Sequence, residues 1–496
     1  MATSASRPRK RFVGNNSSNT PYSGSRAILS HQIPDETLHD AQLNEAIKQL
    51  PTNYSFEIHK TIHHIRRNNA TMVGLQMPEG LQMFACAIAD LIEQFTNAFT
   101  VILGDVTYGA CCVDDYTALA LGCDMLVHYG HSCLVPVDQT RIKTLYVFVE
   151  ISIDSVHLER TVRLNLPNDR QRFHEMLLRR DDDAHIPAGS QLGHLRIENP
   201  DEIVQSDAAV DSADSKPTRL ALVSTIQFVT ALQRLKEELT ANDIIANDYP
   251  ISQIPANAES LICEQRQIRT GRYDVTIPRS KPLSPGEILG CTAPRLSNVD
   301  AILYLGDGRF HLESIMVANP AIPAFRYDPY AKKLTVERYG HLEMQTTRDE
   351  AVEHAKVDIF SSSNLSGEKP RPVWGIILGT LGRQGNFKQL EAITKHLESP
   401  RIAIPYIPIL LSEISPAKLS LFNPCISAFV QTSCPRLSID WGYAFDRPLL
   451  SPYEATVAIG AANGWMDADR KEIGYYPMDF YAVGSPWAMA RLTGSL

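Results

Sequence analysis

Five cysteines in short loops containing Gly, Ser or Pro are the residues most suited to chemistry: Cys111, Cys112, Cys133, Cys291 and Cys434. Each loop follows an apolar run typical of a buried strand. Open α/β sheets bind ligands at the carboxyl ends of their strands, so these thiols occupy positions where ligands bind. The other four cysteines have apolar or unremarkable sequence neighbours, so we expect them to be small buried hydrophobic residues. They are Cys86, Cys123, Cys263 and Cys425.

The spacing of the loop cysteines restricts the metal chemistry. Cys111 and Cys291 are 180 positions apart, and Cys291 and Cys434 are 143 apart. These separations are too long for a local zinc motif. Three thiolates that the fold brings together suit a 4Fe-4S cluster with one iron open to substrate, since full ligation takes four thiolates. They also suit a zinc ion with three cysteines and a water, and the spacing leaves both possibilities open.

Three successive stretches of alternating strand and helix patterns must position these loops, which predicts an α/β fold. We expect domain 1 at 33–153 with Cys111, domain 2 at 154–345 with Cys291, and domain 3 at 373–496 with Cys434. Domain 3 ends in a loop-like C-terminal wrap that begins beyond Trp441. Strands are predicted within 71–76, 99–103, 125–130, 144–153 and 219–228, among others.

Composition identifies the segments outside these domains. Residues 1–32 are rich in Ser, Asn and basic residues, and we expect a disordered tail. The acidic stretch 179–217 is predicted to be a disordered insertion in domain 2. Residues 346–372 are predicted to be a linker.

The overall composition excludes some classes of protein. The chain has 496 residues and 44% hydrophobic residues, enough for several domain cores. No apolar run approaches the roughly twenty residues that span a bilayer, and the N-terminus lacks a signal-peptide core. An odd number of scattered cysteines favours reduced thiols, so we expect a cytoplasmic protein. The net charge of −9 disfavours a general nucleic-acid surface.

Two glycine-rich segments also follow predicted strands: LGDGR at 305–309 and GTLGRQGN at 379–386. Their backbone N–H groups, with Arg309 or Arg383 as a cation, could bind a carboxylate or a phosphate. Ordinary strand-to-helix turns have the same composition. Neither segment matches a Walker or dinucleotide-binding fingerprint.

Longer strings of the chain resemble a known family. These strings are NYSFEIHKTI, LQMPEGLQMFACAIAD, GDVTYGACCVDDYTA, LVHYGHSCLVP, GCTAPRL and TSCPRLSIDWG. Together they are similar to the 2-(3-amino-3-carboxypropyl)histidine synthases, the enzymes of the first step of diphthamide synthesis. The resemblance extends over roughly residues 30–480 apart from the acidic stretch.

The resemblance implies a particular architecture and metal site. It implies three homologous α/β domains in a pseudo-threefold arrangement, each giving one cysteine to a central 4Fe-4S cluster. The family's cluster cysteines match Cys111, Cys291 and Cys434, with Cys112 beside the first. The CxxxCxxC motif of ordinary radical enzymes is absent, as this family leads us to expect.

The resemblance also implies an activity and its partners. Family members bind S-adenosylmethionine at the open iron, and reductive cleavage of its Cγ–S bond gives a 3-amino-3-carboxypropyl radical. That radical adds to a histidine of translation elongation factor 2. The expected partners are a homologous subunit 2 in a heterodimer and a small electron-donor protein, and we expect this chain to be the catalytic, cluster-bearing subunit.

The strand-end glycine segments are the candidates for holding S-adenosylmethionine. The candidate residues are Gly306, Asp307, Gly308, Gly379, Thr380, Gly382, Arg383 and Gly385. Two rival interpretations remain open. An enzyme of the quinolinate-synthase type also uses one cysteine per domain on a cluster but acts on small acids. A non-enzymatic, cluster-holding partner subunit is the other.

Overall fold

The computed structural model describes residues 33–104, 109–183, 195–196, 216–241, 271–361, 372–400, 402–466 and 474–495. The predicted tail at 1–32 lies outside these ranges. So does most of the predicted acidic insertion, namely 184–194 and 197–215.

The first unit contains a four-stranded parallel sheet, in the order β3-β2-β4-β5. Its elements are β1 (Tyr54–Ser55), β2 (Met72–Gln76), β3 (Phe99–Ile102), β4 (Met125–Tyr129), β5 (Lys143–Val147), β6 (Glu150–Ile151), α1 (Asp35–Leu38), α2 (Ala41–Ile47), α3 (Ile58–Asn68), α4 (Glu79–Gln82), α5 (Ala85–Phe95) and α6 (Asp115–Ala120). The strand β4 is buried along its whole length, as expected for a parallel strand covered on both faces. Ile58, Ile62 and Ile65 recur every three or four residues along α3 and face the same core.

The second unit contains a six-stranded mixed sheet, in the order β7-β12-β11-β10-β8-β9. Its elements are β7 (Leu195–Arg196), β8 (Arg219–Ser224), β9 (Asp274–Thr276), β10 (Ala301–Leu305), β11 (Ala324–Asp328), β12 (Lys333–Glu337), α7 (Ser155–Asn165), α8 (Arg170–Asp183), α9 (Val229–Thr240) and α10 (Phe310–Ala318). The strands β9, β8, β10 and β11 run parallel, and β12 and β7 add an antiparallel edge.

The third unit contains a four-stranded parallel sheet, in the order β14-β13-β15-β16. Its elements are β13 (Trp374–Gly379), β14 (Tyr406–Leu411), β15 (Ala428–Gln431), β16 (Leu449–Leu450), α11 (His341–Ser361), α12 (Phe387–Leu397), α13 (Pro416–Ser420), α14 (Pro435–Trp441), α15 (Pro452–Ala458) and α16 (Pro486–Thr493). Trp374 on β13 is fully buried in the core that this sheet shares with Val352 and Ala355 of α11.

The parallel parts of the three sheets have the same strand order. In each unit the first strand along the chain lies between the second and the third, and the fourth follows at the edge of the third. Because all four strands run parallel, the loops that follow them emerge at one edge of each sheet. The loops that carry Cys111, Cys133, Cys291 and Cys434 all follow such strands.

Three predictions of secondary structure are wrong in detail. The predicted linker at 346–372 begins inside helix α11, whose buried residues pack against the third sheet. The single strand predicted at 144–153 is two strands, interrupted at Val149, which has a φ of 58°. The chain beyond Trp441 is not only loop, since it forms α15 and α16, each of which starts with a serine cap and a proline.

Candidate metal centre

The loop of Cys111 is a tight turn that the first sheet holds through Cys112. The Cys112 N–H donates to the Gly109 carbonyl at 3.0 Å. Its carbonyl accepts a 2.7 Å hydrogen bond from Nε2 of Gln76, the last residue of β2. Immediately afterwards, the Asp114 carboxylate caps α6 by accepting from the Thr117 N–H at 3.0 Å. The end of a central strand and a capped helix therefore fix the backbone that carries Cys111.

The loop of Cys291 is a turn closed by Leu289 and Thr292. These two residues exchange backbone hydrogen bonds of 2.9 and 3.2 Å. The Ser314 hydroxyl of α10 donates to the Leu289 carbonyl at 2.6 Å. Gly290 is required here because a Cβ at that position would lie 2.0 Å from the Phe310 ring. Helix α10, which follows β10, therefore supports the backbone of the Cys291 loop.

Cys434 is the N-cap residue of α14, with Pro435 in the first turn. Gln431, the last residue of β15, donates from Nε2 to the Cys434 carbonyl at 2.9 Å. Gln431 also accepts from the Ser433 N–H at 2.8 Å. A strand-end glutamine therefore holds this loop, as Gln76 holds the loop of Cys111.

The three cysteines converge on one largely buried pocket. Cys111 and Cys291 belong to one apolar cluster, with Leu289 and with the partly buried Tyr481 packed against it. Cys434 lies near enough for the charge of Cys111 to act on it, and burial together with that charge raises the pKa of Cys434 to about 12. Burial, followed by the charges of Cys434 and Cys111, raises the pKa of Cys291 well above its usual value. The loops of Cys111 and Cys291 therefore pack together, and the effect of the Cys111 charge on Cys434 indicates that the third loop lies beside them.

This donor set fits a bound metal cluster. Buried thiols that raise each other's pKa form thiolates only when positive charge is supplied, and metal ions supply it. Within the described ranges, no three His, Cys, Asp or Glu side chains are close enough to hold a single metal ion. A cubane cluster differs because each cysteine ligates a different iron, so the sulfurs need not meet around one ion.

Cys112 has contacts of a different kind. Its Sγ accepts a 3.2 Å hydrogen bond from Nε2 of Gln384. It also borders a small cleft whose other walls include Gln76, Asp114 and Leu381. Its hydrogen bond with Cys111 is the largest cause of the raised pKa of Cys111, ahead of burial. Cys112 therefore touches both the neighbouring thiol and the glycine-rich segment of the third unit.

Most of the glycines at 379–385 are packed against protein atoms. A Cβ on Gly379 would lie 2.0 Å from Oγ of Ser433, and one on Gly385 would lie 2.0 Å from the Gly379 carbonyl. Gly382 has a φ of 54° and lies against the Cys112 backbone, with 2.8 Å between an added Cβ and that carbonyl. The Thr380 N–H donates to the Leu411 carbonyl of β14. These glycines allow the third unit to approach the Cys112 backbone and the Ser433 side chain closely.

Arg383 forms an ion pair with the first unit. Its Nε and one terminal nitrogen donate to the two Asp115 carboxylate oxygens at 2.7 and 2.6 Å. The guanidinium also stacks 4.3 Å from the centroid of the Tyr116 ring. Burial alone would raise the pKa of Asp115, but hydrogen bonds from Arg383 and from the Arg141 N–H outweigh burial and lower it. The side chain that we predicted to bind S-adenosylmethionine is therefore already bound to a carboxylate.

The segment at 306–308 is more open. A Cβ on Gly308 would have no atom within 4 Å, whereas one on Gly306 would meet the Tyr304 hydroxyl at 2.5 Å. The Asp307 carboxylate accepts from the Gly308 N–H at 2.9 Å, and its backbone carbonyl accepts from Arg326. This loop precedes α10, the helix that supports Cys291.

Sequence reasoning gave no role to Arg436, although it lies two residues after Cys434. Its guanidinium binds Asp440 in its own helix and Glu313 of α10 at 2.6 Å. It also donates to the Phe310 carbonyl and stacks on that ring at 4.6 Å. Arg436 thus connects the helices behind Cys434 and Cys291. An arginine directly after a Cys-Pro pair was the available signal.

Two partly buried histidines near the cysteine loops also received no role from the sequence. His131 follows β4, and His311 lies in the first turn of α10. Burial lowers the pKa of each to about 4, and for His311 the charge of His131 contributes further. Each ring therefore disfavours protonation in the folded protein.

The fold and the site define the class of protein: an α/β chain with three sheets whose parallel strands share one order, each contributing one cysteine loop to a common, largely buried place. A sequence model of the family described as putative diphthamide synthesis protein matches residues 77–180 and 196–469. The chain belongs to this family. Among the described residues, no helix is both long and apolar enough to cross a membrane.

Curated relatives narrow the assignment within the family. The chain is 47% identical over 464 residues to 2-(3-amino-3-carboxypropyl)histidine synthase subunit 1 of Gallus gallus, covering 92% of this chain and 88% of that protein. It is 45% identical over 469 residues to the Homo sapiens protein of the same name, covering 94% and 84%. Both relatives carry the same synthase name, and this similarity assigns the chain to the transferase class of enzymes.

Solved structures support the fold. A crystal structure of Dph2 from Pyrococcus horikoshii with a 4Fe-4S cluster aligns with a TM-score of 0.53 and 20% identity, covering 85% of this chain and 95% of that one. A second structure of the same protein aligns with a TM-score of 0.52. At this level of identity the likeness establishes a shared α/β fold.

Proposed function

We propose that this chain is the catalytic, cluster-binding subunit of a 2-(3-amino-3-carboxypropyl)histidine synthase. It transfers a 3-amino-3-carboxypropyl group from S-adenosylmethionine to a histidine of translation elongation factor 2, the first step of diphthamide synthesis. The observation that carries the proposal is the convergence of Cys111, Cys291 and Cys434 from three units on one buried pocket.

The proposed architecture is three homologous domains, at 33–153, 154–345 and 373–496, in a pseudo-threefold arrangement around the cluster. The shared strand order of the three parallel sheets supports this homology. The alignment with a cluster-containing Dph2 supports it at the level of the fold. We further propose that the chain works in the cytoplasm, in a heterodimer with a homologous subunit 2, and receives electrons from a small electron-donor protein.

In the proposed site, Cys111, Cys291 and Cys434 would hold a 4Fe-4S cluster, which would supply the electron for reductive cleavage of the Cγ–S bond of S-adenosylmethionine. Gln76 and Gln431 fix the backbone of two of the cysteine loops through their amide groups.

The proposed S-adenosylmethionine site uses both glycine-rich segments. Gly306, Asp307 and Gly308 supply the open part, because Gly308 has free space beside it. The segment containing Gly379, Thr380, Gly382 and Gly385 forms a wall at Cys112, and Arg383 orients that wall through Asp115.

The test is electron paramagnetic resonance of the anaerobically reconstituted, dithionite-reduced heterodimer, with and without S-adenosylmethionine. Cys111→Ala, Cys291→Ala and Cys434→Ala should each abolish the reduced 4Fe-4S signal. Cys112→Ala is the matched control and should retain it. Addition of elongation factor 2 should give modified histidine only where the signal is retained. A protein that binds only zinc, or a cluster that S-adenosylmethionine does not perturb, would contradict the proposal.

A further inference from the structure

The C-terminal segment 474–495 returns to the cysteine pocket, although it lies outside the residues that the family model matches. The Ala293 N–H donates to the Met478 carbonyl at 2.7 Å. The Phe480 N–H donates to the carbonyl of Cys291 at 3.3 Å, and the Tyr481 N–H donates to the Thr292 hydroxyl at 3.1 Å. The segment is therefore hydrogen-bonded to Cys291 and to the two residues that follow it.

Tyr481 is the side chain that this pairing directs into the pocket. Its ring packs against the apolar cluster that contains Cys111 and Cys291. Its hydroxyl lies within reach of the charges of Cys111, Cys291 and Cys434 alike. The ring therefore covers the place where the three loops meet.

Helix α16 positions Arg491 against the Tyr481 ring. The helix starts at the Ser485 cap, and Trp487 anchors it against Tyr453 in the third core. The Arg491 guanidinium lies 4.3 Å from the centroid of the Tyr481 ring, a cation–π distance. Both terminal nitrogens donate to the Gln384 carbonyl at 3.2 Å.

Arg491 differs from the other arginines near the pocket because its charge is not paired with a carboxylate of the described residues. Arg383 and Arg436 are each bound to a carboxylate, Asp115 and Glu313 respectively. Arg491 forms no ion pair with any residue that the structure describes, and its polar contacts are with a neutral carbonyl. Its charge also acts on Cys111 and Cys291. The pocket thus has one neighbouring cation that no described carboxylate neutralises.

We propose that Arg491, stacked on Tyr481, is a positioning residue that closes the cysteine pocket and raises the reduction potential of the cluster bound there. This inference rests on the proposed cluster site. The potential of an iron-sulfur cluster depends on the net charge around it and on its exposure to solvent. Reduction adds negative charge to the cluster, so a nearby unneutralised cation favours the reduced state. The guanidinium stacks on a ring that packs against the cluster containing Cys111 and Cys291, so its charge lies close to a cluster bound there.

The test is a redox titration of the reconstituted heterodimer, followed by electron paramagnetic resonance, with iron and sulfide content measured in parallel. Arg491→Gln should make reduction about tenfold less favourable, a shift of 59 mV to more negative potential for one electron. Arg491→Lys, which conserves the charge, should stay close to wild type. Lys388→Gln is the matched control, because it removes a cation that contacts the same helix at the Leu492 carbonyl. It should not change the potential.

The outcomes separate the possible roles. An Arg491→Gln protein with full iron content and an unchanged potential would overturn the inference. If Arg491→Gln loses iron, Arg491→Lys decides: a lysine protein with normal iron and wild-type potential supports the role of charge. Iron loss in both variants would show that Arg491 only stabilises the backbone at Gln384. That outcome would also overturn the inference. A wild-type protein that binds no cluster would instead refute the proposed function itself.

Discussion

Replacing Arg383 by alanine distinguishes a structural role from a cofactor-binding role for the glycine-rich segment of the third unit. The Asp115 side chain is completely buried, and the Arg383 side chain is 19% exposed. Removing one partner of a buried ion pair costs about 3–5 kcal/mol, since the remaining charge is left without its partner. The Arg141 N–H still donates to Asp115 at 2.6 Å, so we expect the lower end of that range, about 3 kcal/mol.

The assay is hydrogen exchange of the full chain, measured by mass spectrometry on peptides that cover α6 and residues 380–386. A loss of about 3 kcal/mol makes local opening roughly a hundredfold more frequent, and protection should fall accordingly. Adding Asp115→Asn to Arg383→Ala should restore part of the protection, because no buried carboxylate remains. The control is Arg234→Ala, which breaks an exposed pair with Glu238 and should cost well under about 1 kcal/mol.

The two roles predict different results with S-adenosylmethionine. If Arg383 acts through Asp115, the double variant should recover cofactor affinity together with protection. If Arg383 binds the cofactor directly, affinity should stay low in the double variant whatever happens to protection. Unchanged exchange in Arg383→Ala together with lost affinity would refute the structural role.

Two further predictions concern stability. Burial lowers the pKa of His131 to about 4, so the unfolded chain binds more protons below about pH 6.5 and stability should decline between about pH 6.5 and 4, by up to about 3 kcal/mol for this residue. In urea unfolding, His131→Gln should weaken this pH dependence without removing it, since His311 behaves alike. A wild-type unfolding midpoint that stays constant between about pH 6.5 and 4 would contradict the argument. Arg348→Met should lower the free energy of unfolding by about 3–5 kcal/mol, because it leaves the Glu454 carboxylate buried without its partner. Adding Glu454→Gln to Arg348→Met should recover part of the loss. Equal unfolding midpoints for wild type and Arg348→Met would show that the pair contributes nothing.

The sheets could be predicted because buried parallel strands are continuous apolar runs. The predicted strand at 71–76 corresponds to β2, Met72–Gln76, and the run at 125–130 corresponds to β4, Met125–Tyr129. The prediction of a linker at 346–372 was wrong because the contacts that stabilise helix α11 are not visible in the local sequence. Arg348 has the polarity of a surface residue, yet its guanidinium is buried against Glu454, which lies 106 positions later.

The contacts of the C-terminal segment 474–495 at the cysteine pocket also could not be predicted from the local sequence. A Pro- and Tyr-rich composition indicated a wrap, and the structure describes chain that does cross to the cysteine pocket. Nothing local marks Tyr481 as a pocket residue or Arg491 as a cation without a carboxylate. Both properties depend on Gln384 and Thr292, whose positions are set by other units of the fold. Long-range contacts of this kind become visible only when the three sheets are assembled.

Internal repetition would have selected a different set of cysteines. The parallel parts of the three sheets share one strand order, but Cys111 and Cys291 follow the second strand of their sheets, whereas Cys434 follows the third. In the first unit the position that corresponds to Cys434 is occupied by Cys133, which is exposed. In the second unit it is occupied by the glycine segment at 306–308. Since the two kinds of loop emerge at the same edge of each sheet, either can reach a common centre. The shared strand order therefore explains why the loops can come together. Which thiols meet depends on which strand-end loop of each unit lies at the common centre.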